Sequence, residues 1–312
     1  MDALIKVDKL GKYFGQIKAV DCISFEVAKG EVLGFLGPNG AGKTTTMKML
    51  TGFLSPTFGK AWVSGLDVEE HSKEIRKRIG YLSENAPLYN EMQVGSFLRF
   101  IGEVRGIEKE ELPERIRKVA GITAIDKVLR QEIRTLSKGY RRRVALAQTL
   151  LHDPEILILD EPTDGLDPNQ KYEVRNLIKE MAKNKCIIIS THILEEVEAI
   201  CTRAIIIAKG KIVSDERPDE LAKKSKGYGT IYITIKTKEE KDYLKILEQA
   251  RDVKSVKIIS TDDDEVKYEV IPIGGKRIIP DIAHLAYERK WKVEELTMNT
   301  GDINQTFREI TL

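Results

Sequence analysis

Two segments hold residue types that together could handle a phosphate ester: Gly37-Pro38-Asn39-Gly40-Ala41-Gly42-Lys43-Thr44 and, far along the chain, Asp160-Glu161. The first has the spacing GxxxxGK[ST], whose glycines let the main chain turn inward so that successive N–H groups converge on phosphate oxygens. Gly37, Asn39, Gly40, Ala41 and Gly42 would form that cradle. Lys43 would reach the β- and γ-phosphates of a nucleoside triphosphate, Thr44 would ligate Mg²⁺ and Thr45 would touch the α-phosphate. Asp160 would hold the same ion through water, and Glu161 would orient or deprotonate the water that attacks the γ-phosphate. Taken alone, Asp160-Glu161 reads first as a solvent-facing acidic pair at a strand end; the glycine-rich loop tips the reading towards chemistry.

These residues need rigid mounts. Glu31-Val32-Leu33-Gly34-Phe35-Leu36 is an apolar run that feeds the glycine-rich turn, and Thr46-Met47-Lys48-Met49-Leu50 after it suits a helix whose N-terminus faces the phosphates. Ile156-Leu157-Ile158-Leu159 ends at Asp160, and Cys186-Ile187-Ile188-Ile189 and Ala204-Ile205-Ile206-Ile207 are further unalternating runs. Such strands are buried on both faces, as in a parallel sheet covered by helices. Ile23-Ser24-Phe25-Glu26-Val27 alternates instead, as a half-exposed antiparallel strand does. From about 84 to 151 no strand-like run occurs; Phe97, Phe100, Ile101 and Val104 recur at helical spacing, which predicts a helical insert with Phe97, Phe100 and Ile101 in its core. Residues 215–228 are polar and read as a linker. Beyond them the order βαββαβ predicts a ferredoxin-like unit over 229–312, with Asp262-Asp263-Asp264 as a hairpin turn and Asp302 capping a last short helix.

Further segments narrow the field. Leu136-Ser137-Lys138-Gly139-Tyr140 resembles the LSGGQ signature motif of ATP-binding cassette (ABC) ATPases. Gly165-Leu166-Asp167, just after Asp160-Glu161, resembles that family's D-loop, and Ser190-Thr191-His192 ends the next strand where the family has its switch histidine. The resemblance covers residues 1–214 and implies an α/β P-loop NTPase fold: a RecA-like core, an antiparallel β part and a helical subdomain, here followed by the ferredoxin-like α+β domain. It further implies that two cassettes close head to tail over two ATP molecules, Ser137 and Gly139 of one reaching the γ-phosphate held by the other, with Asp167 at the same site. By the same resemblance His192 would bond the γ-phosphate and sense its loss, and Phe14 would stack on adenine, a role the adjacent Tyr13 could also take. Two departures stand out. Glu84, after Ile79-Gly80-Tyr81-Leu82-Ser83, replaces the usual Q-loop glutamine and would place an extra carboxylate beside the metal, while Lys138 and Tyr140 replace a glycine and the glutamine of the signature.

Composition sets the remaining bounds. Over 312 residues, Lys plus Arg number 51 and Asp plus Glu 49, a net charge of +2 that argues against a nucleic-acid partner. No apolar run approaches the ~20 residues that span a bilayer, and Met1-Asp2-Ala3-Leu4-Ile5-Lys6 lacks a secretory pattern. Cys22, Cys186 and Cys201 form neither a CxxC pair nor an even disulfide set and read as small buried apolar residues, with His71, His152 and His284 as structural. The resemblance then implies a cytoplasmic ATPase using ATP and Mg²⁺, a homodimer of cassettes working peripherally on separate membrane-spanning permease subunits, with Pro87 to Arg105 near the contact. The tail, ending Phe307-Arg308-Glu309-Ile310-Thr311, resembles those of drug-export and gliding-motility cassettes and so implies export. The alternatives are a soluble ABC ATPase acting on ribosome or DNA, and a cassette that binds without hydrolysing.

Overall fold

The computed structural model describes residues 3–237, 240–262 and 264–311. Met1, Asp2 and Asp263, the middle residue of the expected acidic turn, lie outside the described residues. The chain divides into two compact units, one ending at Pro218 and the other running Asp219–Ile310.

In the first unit, β1 (Ala3–Phe14) and β2 (Ile17–Ala28) form an antiparallel hairpin. β3 (Val32–Leu36) enters the glycine-rich turn, which opens α1 (Lys43–Leu50). β4 (Phe58–Val63), β5 (Leu66–Asp67), α2 (Ser72–Arg78) and β6 (Ile79–Leu82) follow. Next come three helices, α3 (Val94–Val104), α4 (Leu112–Thr123) and α5 (Lys138–Leu150). β7 (Ile156–Asp160), α6 (Pro168–Ala182), β8 (Cys186–Thr191), α7 (Leu194–Ile200), β9 (Arg203–Ala208) and β10 (Lys211–Glu216) complete it.

The strands form two sheets: β2-β1-β4-β5, antiparallel, and β10-β9-β3-β8-β7-β6, parallel except for β10. Every residue of β3, β7 and β8 is buried, as their unalternating apolar composition requires. Fully burying each Ile or Leu of these strands contributes about 2 kcal/mol, so the strand ends that carry the loop after Leu36, Asp160 and His192 stand on the stiffest part of the unit. The three helices 94–150 pack against one face of this core through Phe97, Leu98, Val119, Val144 and Leu146. Phe97 is fully buried, but Phe100 is 39% exposed and stacks edge-on against Tyr89 at 5.6 Å, so the expected core position of Phe100 is corrected. The helix turns Phe100 towards solvent because the buried stripe runs through Val94, Phe97 and Leu98.

The cysteine reading also needs correction. Cys186 is buried, but Cys22 is exposed, because a bulge in β2 between Val20 and Ile23 breaks the alternation and gives Cys22 a φ of 58°.

The second unit contains β11 (Ile231–Lys236), α8 (Glu240–Glu248), β12 (Val253–Asp262), β13 (Glu265–Pro272), α9 (Ile279–Glu288), β14 (Val293–Met298) and a last helix Ile303–Thr311. The sheet order is β12-β13-β11-β14, all antiparallel, with Ile231, Ile233, Ile235, Val266, Tyr268 and Val270 alternating into one core. Asp302 accepts the Asn304 N–H at 2.7 Å and so caps the last helix. The polar stretch 215–228, expected as a linker, holds the end of β10 and a short helix, Pro218–Lys223. Proline at the start, Asp219 and Glu220 in the first turn and Lys223 in the last suit that helix, which buries Leu221.

Candidate nucleotide site

The glycine-rich loop takes the shape its sequence predicts. Gly42 caps α1 at φ 112°, and a Cβ there would lie 2.4 Å from the Ala19 carbonyl oxygen, so only glycine fits between the loop and β2. Lys43 is buried and its ammonium donates back across the loop to the carbonyls of Gly37 (2.7 Å) and Pro38 (3.3 Å). Burial holds the Lys43 pKa below the usual lysine value, with the carboxylates of Glu161, Asp160 and Glu84 offsetting only part of that shift.

A cleft of about 410 Å³ opens on this loop. Asn39, Gly40, Gly42, Lys43, Thr44 and Thr45 form one wall; Glu84, Asp160, Glu161, Asp164 and His192 face them. Gly37 and Ala41 are buried behind the loop. The Thr44 hydroxyl donates to Asp160 Oδ2 at 3.0 Å, and the Ser190 hydroxyl donates to Asp160 Oδ1, so the carboxylate is aimed from both sides. A hydroxyl and a carboxylate oxygen side by side are a donor pair that fits Mg²⁺. Among the described residues no group of three or more His, Cys, Asp or Glu side chains forms a metal cluster. Glu84 lines the cleft from the segment after β6 and is exposed.

Glu161 sits at φ 50°, a left-handed backbone that few non-glycine residues adopt, with its N–H bonded to the Ser190 carbonyl at 2.9 Å. That turn swings its carboxylate into the cleft, 2.9 Å from His192 Nδ1. A buried carboxylate outside the cleft holds both loops: Glu196, on α7, accepts the hydroxyls of Thr163, two residues after Glu161, and of Thr191 (2.9 Å), one before His192. Burial raises the Glu196 pKa. Sequence reading missed Glu196, Asp164 and Ser190; nothing local in the Glu195-Glu196 pair marks which carboxylate turns inward.

The remaining expected residues stand elsewhere. Ser137 caps α5, its hydroxyl oxygen accepting the Tyr140 N–H at 3.3 Å, and is exposed outside this cleft. Gly139 is buried against α6: a Cβ would lie 2.5 Å from Gln170 Oε1. Asp167 caps α6, accepting the Gln170 N–H at 2.9 Å, and does not line the cleft; Asp164 does, paired with Lys138 at 3.0 Å. That bond holds the Asp164 carboxylate below its usual range. Of the two aromatics, Tyr13 is engaged, its hydroxyl donating to Asp21 at 2.6 Å and its ring packed on Phe58, whereas Phe14 is 49% exposed. Beside the cleft lies a larger groove of about 580 Å³, lined by Phe53, Arg76, Tyr81, Glu84, Pro87 and Arg105; Glu84, Thr44 and Asp160 line both.

This fold and loop define a class. The chain belongs to the ABC transporter family as an ATP-binding protein: the family profile described as ABC transporter matches residues 20–164. It is 38% identical over 230 residues to the bacitracin transport ATP-binding protein BcrA of Bacillus licheniformis, covering 73% of this chain and 74% of that protein. It is 37% identical over 225 residues to the probable multidrug ABC transporter ATP-binding protein YbhF of Escherichia coli (strain K12), covering 72% of this chain but only 39% of that protein. Among solved structures, an ATP binding subunit of an ABC transporter superposes with a TM-score of 0.65 at 27% identity, over 70% of this chain and 92% of the other.

Proposed function

We propose that this chain hydrolyses ATP as one of two identical cassettes that drive a separate membrane permease in the direction of export. The observation that carries the reading is the meeting, in one cleft, of the Lys43 loop, the Thr44–Asp160 pair and the Glu161–His192 pair. The loop amides and Lys43 bind the triphosphate, and Phe14, half-exposed with the Lys12 ammonium 5.4 Å from its ring centroid, is the aromatic left to stack on the base. Thr44 and Asp160 hold Mg²⁺, with Glu84 beside them, and the ion supplies positive charge to the phosphate oxygens. Glu161, fixed by its left-handed backbone and by His192, orients the attacking water and takes its proton.

Ser137 and Gly139 stand at the N-terminus of α5, outside the cleft of their own chain, which supports a role for them on a nucleotide held by a second copy. Asp167, exposed at the cap of α6, would act at the same nucleotide. No described helix is long and apolar enough to cross a membrane. A permease would dock in the groove beside Glu84, and the chain would then work at the cytoplasmic face of the membrane. Export is the direction the tail suggests, and a relative named Nod factor export ATP-binding protein I of Cupriavidus metallidurans, 33% identical over 222 residues, supports it. The domain division fits the same reading: a cassette to about residue 214 and an accessory α+β domain after it.

Glu161→Gln tests the chemistry. It keeps the shape and the left-handed backbone but removes the base, so MgATP binding should persist while turnover falls by at least about a hundredfold. Turnover near the wild-type rate would overturn the assignment.

A further inference from the structure

Three arginines follow the signature segment, Arg141-Arg142-Arg143, and the cleft chemistry uses none of them. Two have local partners: Arg141 donates to the Arg134 carbonyl at 2.7 Å, and Arg143 pairs with Glu173 at 2.5 Å. Arg142 differs. Its Nε donates to the Pro162 carbonyl (3.3 Å), its Nη1 to the carbonyls of Ser83 and Glu84 (3.0 Å each), and its Nη2 to those of Asp160 (2.5 Å) and Glu161 (2.6 Å). A guanidinium has five N–H donors in a flat fork, so every one of them meets a main-chain oxygen.

The five acceptors belong to two segments. Ser83 and Glu84 follow β6, and Asp160 to Pro162 end β7 and begin the next loop. The two strands are parallel neighbours with Leu82 opposite Leu159, so their ends lie side by side and Arg142 plugs the gap beyond them. The side chain itself hangs from α5, whose cap is Ser137. Burial lowers the guanidinium pKa, and Asp164, Asp160, Glu161 and Glu84 around it act in the opposite direction.

We infer that Arg142 is a positioning residue that ties the signature helix, the Glu84 segment and the Glu161 turn into one rigid body. A push on the Glu84 wall of the groove is thereby delivered to the carboxylate of Glu161 and to the tip of α5 together. The inference deepens the proposed function and rests on Glu161 being the group that orients water. Lysine cannot replace arginine here, because three donors on a single nitrogen do not span two strand ends.

The test uses the full chain carrying Arg142→Lys or Arg142→Gln, beside wild type and Glu161→Gln. MgATP affinity should stay within about threefold of wild type while kcat falls on the order of a hundredfold in both, since an ångström of misplacement is enough. Amide hydrogen exchange should quicken together in peptides spanning 82–87 and 159–164. Arg142→Lys turning over within about threefold of wild type, or losing rate only in proportion to lost MgATP affinity, would overturn the inference. Failure of both variants to fold would assign Arg142 to stability alone and overturn it equally. The two readings fail differently: a wild type with no ATP hydrolysis removes the proposed function, whereas an active wild type, a dead Glu161→Gln and an active Arg142→Lys remove only the role of Arg142.

Discussion

At the scale of single residues, the groups meant for chemistry and the groups that support them had very different visibility. Lys43, Thr44, Asp160 and Glu161, which the structure brings into one cleft, could be proposed from the sequence because each ends a strand or opens a helix near a short contiguous pattern, whereas His192 came only through the family resemblance. Glu196 and Arg142 could not, since they act on main chain or hydroxyls that are remote in sequence, from Thr191 to Ser83. Glu196→Ala would leave the buried hydroxyls of Thr163 and Thr191 without their shared acceptor, and chemical denaturation should show a loss of about 3 kcal/mol, with Glu196→Gln losing less. His152 makes a separate prediction. Its Nε2 lies 3.1 Å from the Ile79 carbonyl, its Nδ1 is buried with no partner among the described residues, and burial pushes the imidazole down to about 4. The unfolded chain therefore binds the proton first as pH falls. Stability from this group is complete above pH 6.5 and is lost between 6.5 and about 4, by up to about 3 kcal/mol. Thermal midpoints measured from pH 7 to 5 should fall more steeply for wild type than for His152→Gln; equal slopes would contradict this.

At the scale of elements, periodicity revealed what a strand or helix buries but not how neighbouring elements press on one another. The unalternating runs of β3, β7 and β8 were readable as buried parallel strands, because a strand covered on both faces has no polar side to show. The exposure of Cys22 was not, because a bulge shifts the register without a marker in the local pattern. The short helix Pro218–Lys223 was hidden by its polarity, one buried leucine being too little to signal a period. Element contacts also explain the glycine-rich loop. The β1–β2 hairpin presses the Ala19 carbonyl against Gly42, and the Gly210 N–H bonds the Ala41 carbonyl at 3.1 Å from the other side. Gly42→Ala must therefore move main chain as well as adopt a left-handed φ, and should cost at least about 2 kcal/mol in unfolding free energy and abolish nucleotide binding in a titration.

At the scale of the whole molecule, the account turns on what one chain lacks. Its cleft gathers the phosphate loop, the Thr44–Asp160 pair proposed to hold metal and the Glu161–His192 pair proposed to orient water, while the α5 tip with Ser137 stands apart from it. The contacts of that tip with α6, through Gly139 on Gln170, and with the loop before α6, through Lys138 on Asp164, give it a fixed mount from which to reach another molecule. The most direct measurement is the solution mass of Glu161→Gln by analytical ultracentrifugation, with and without MgATP, beside the double variant that adds Ser137→Arg. The account predicts that MgATP doubles the mass of Glu161→Gln, and that the double variant stays single while binding MgATP with unchanged affinity. A Glu161→Gln protein that binds MgATP to saturation and keeps the mass of one chain, or a double variant that pairs as readily, would contradict it.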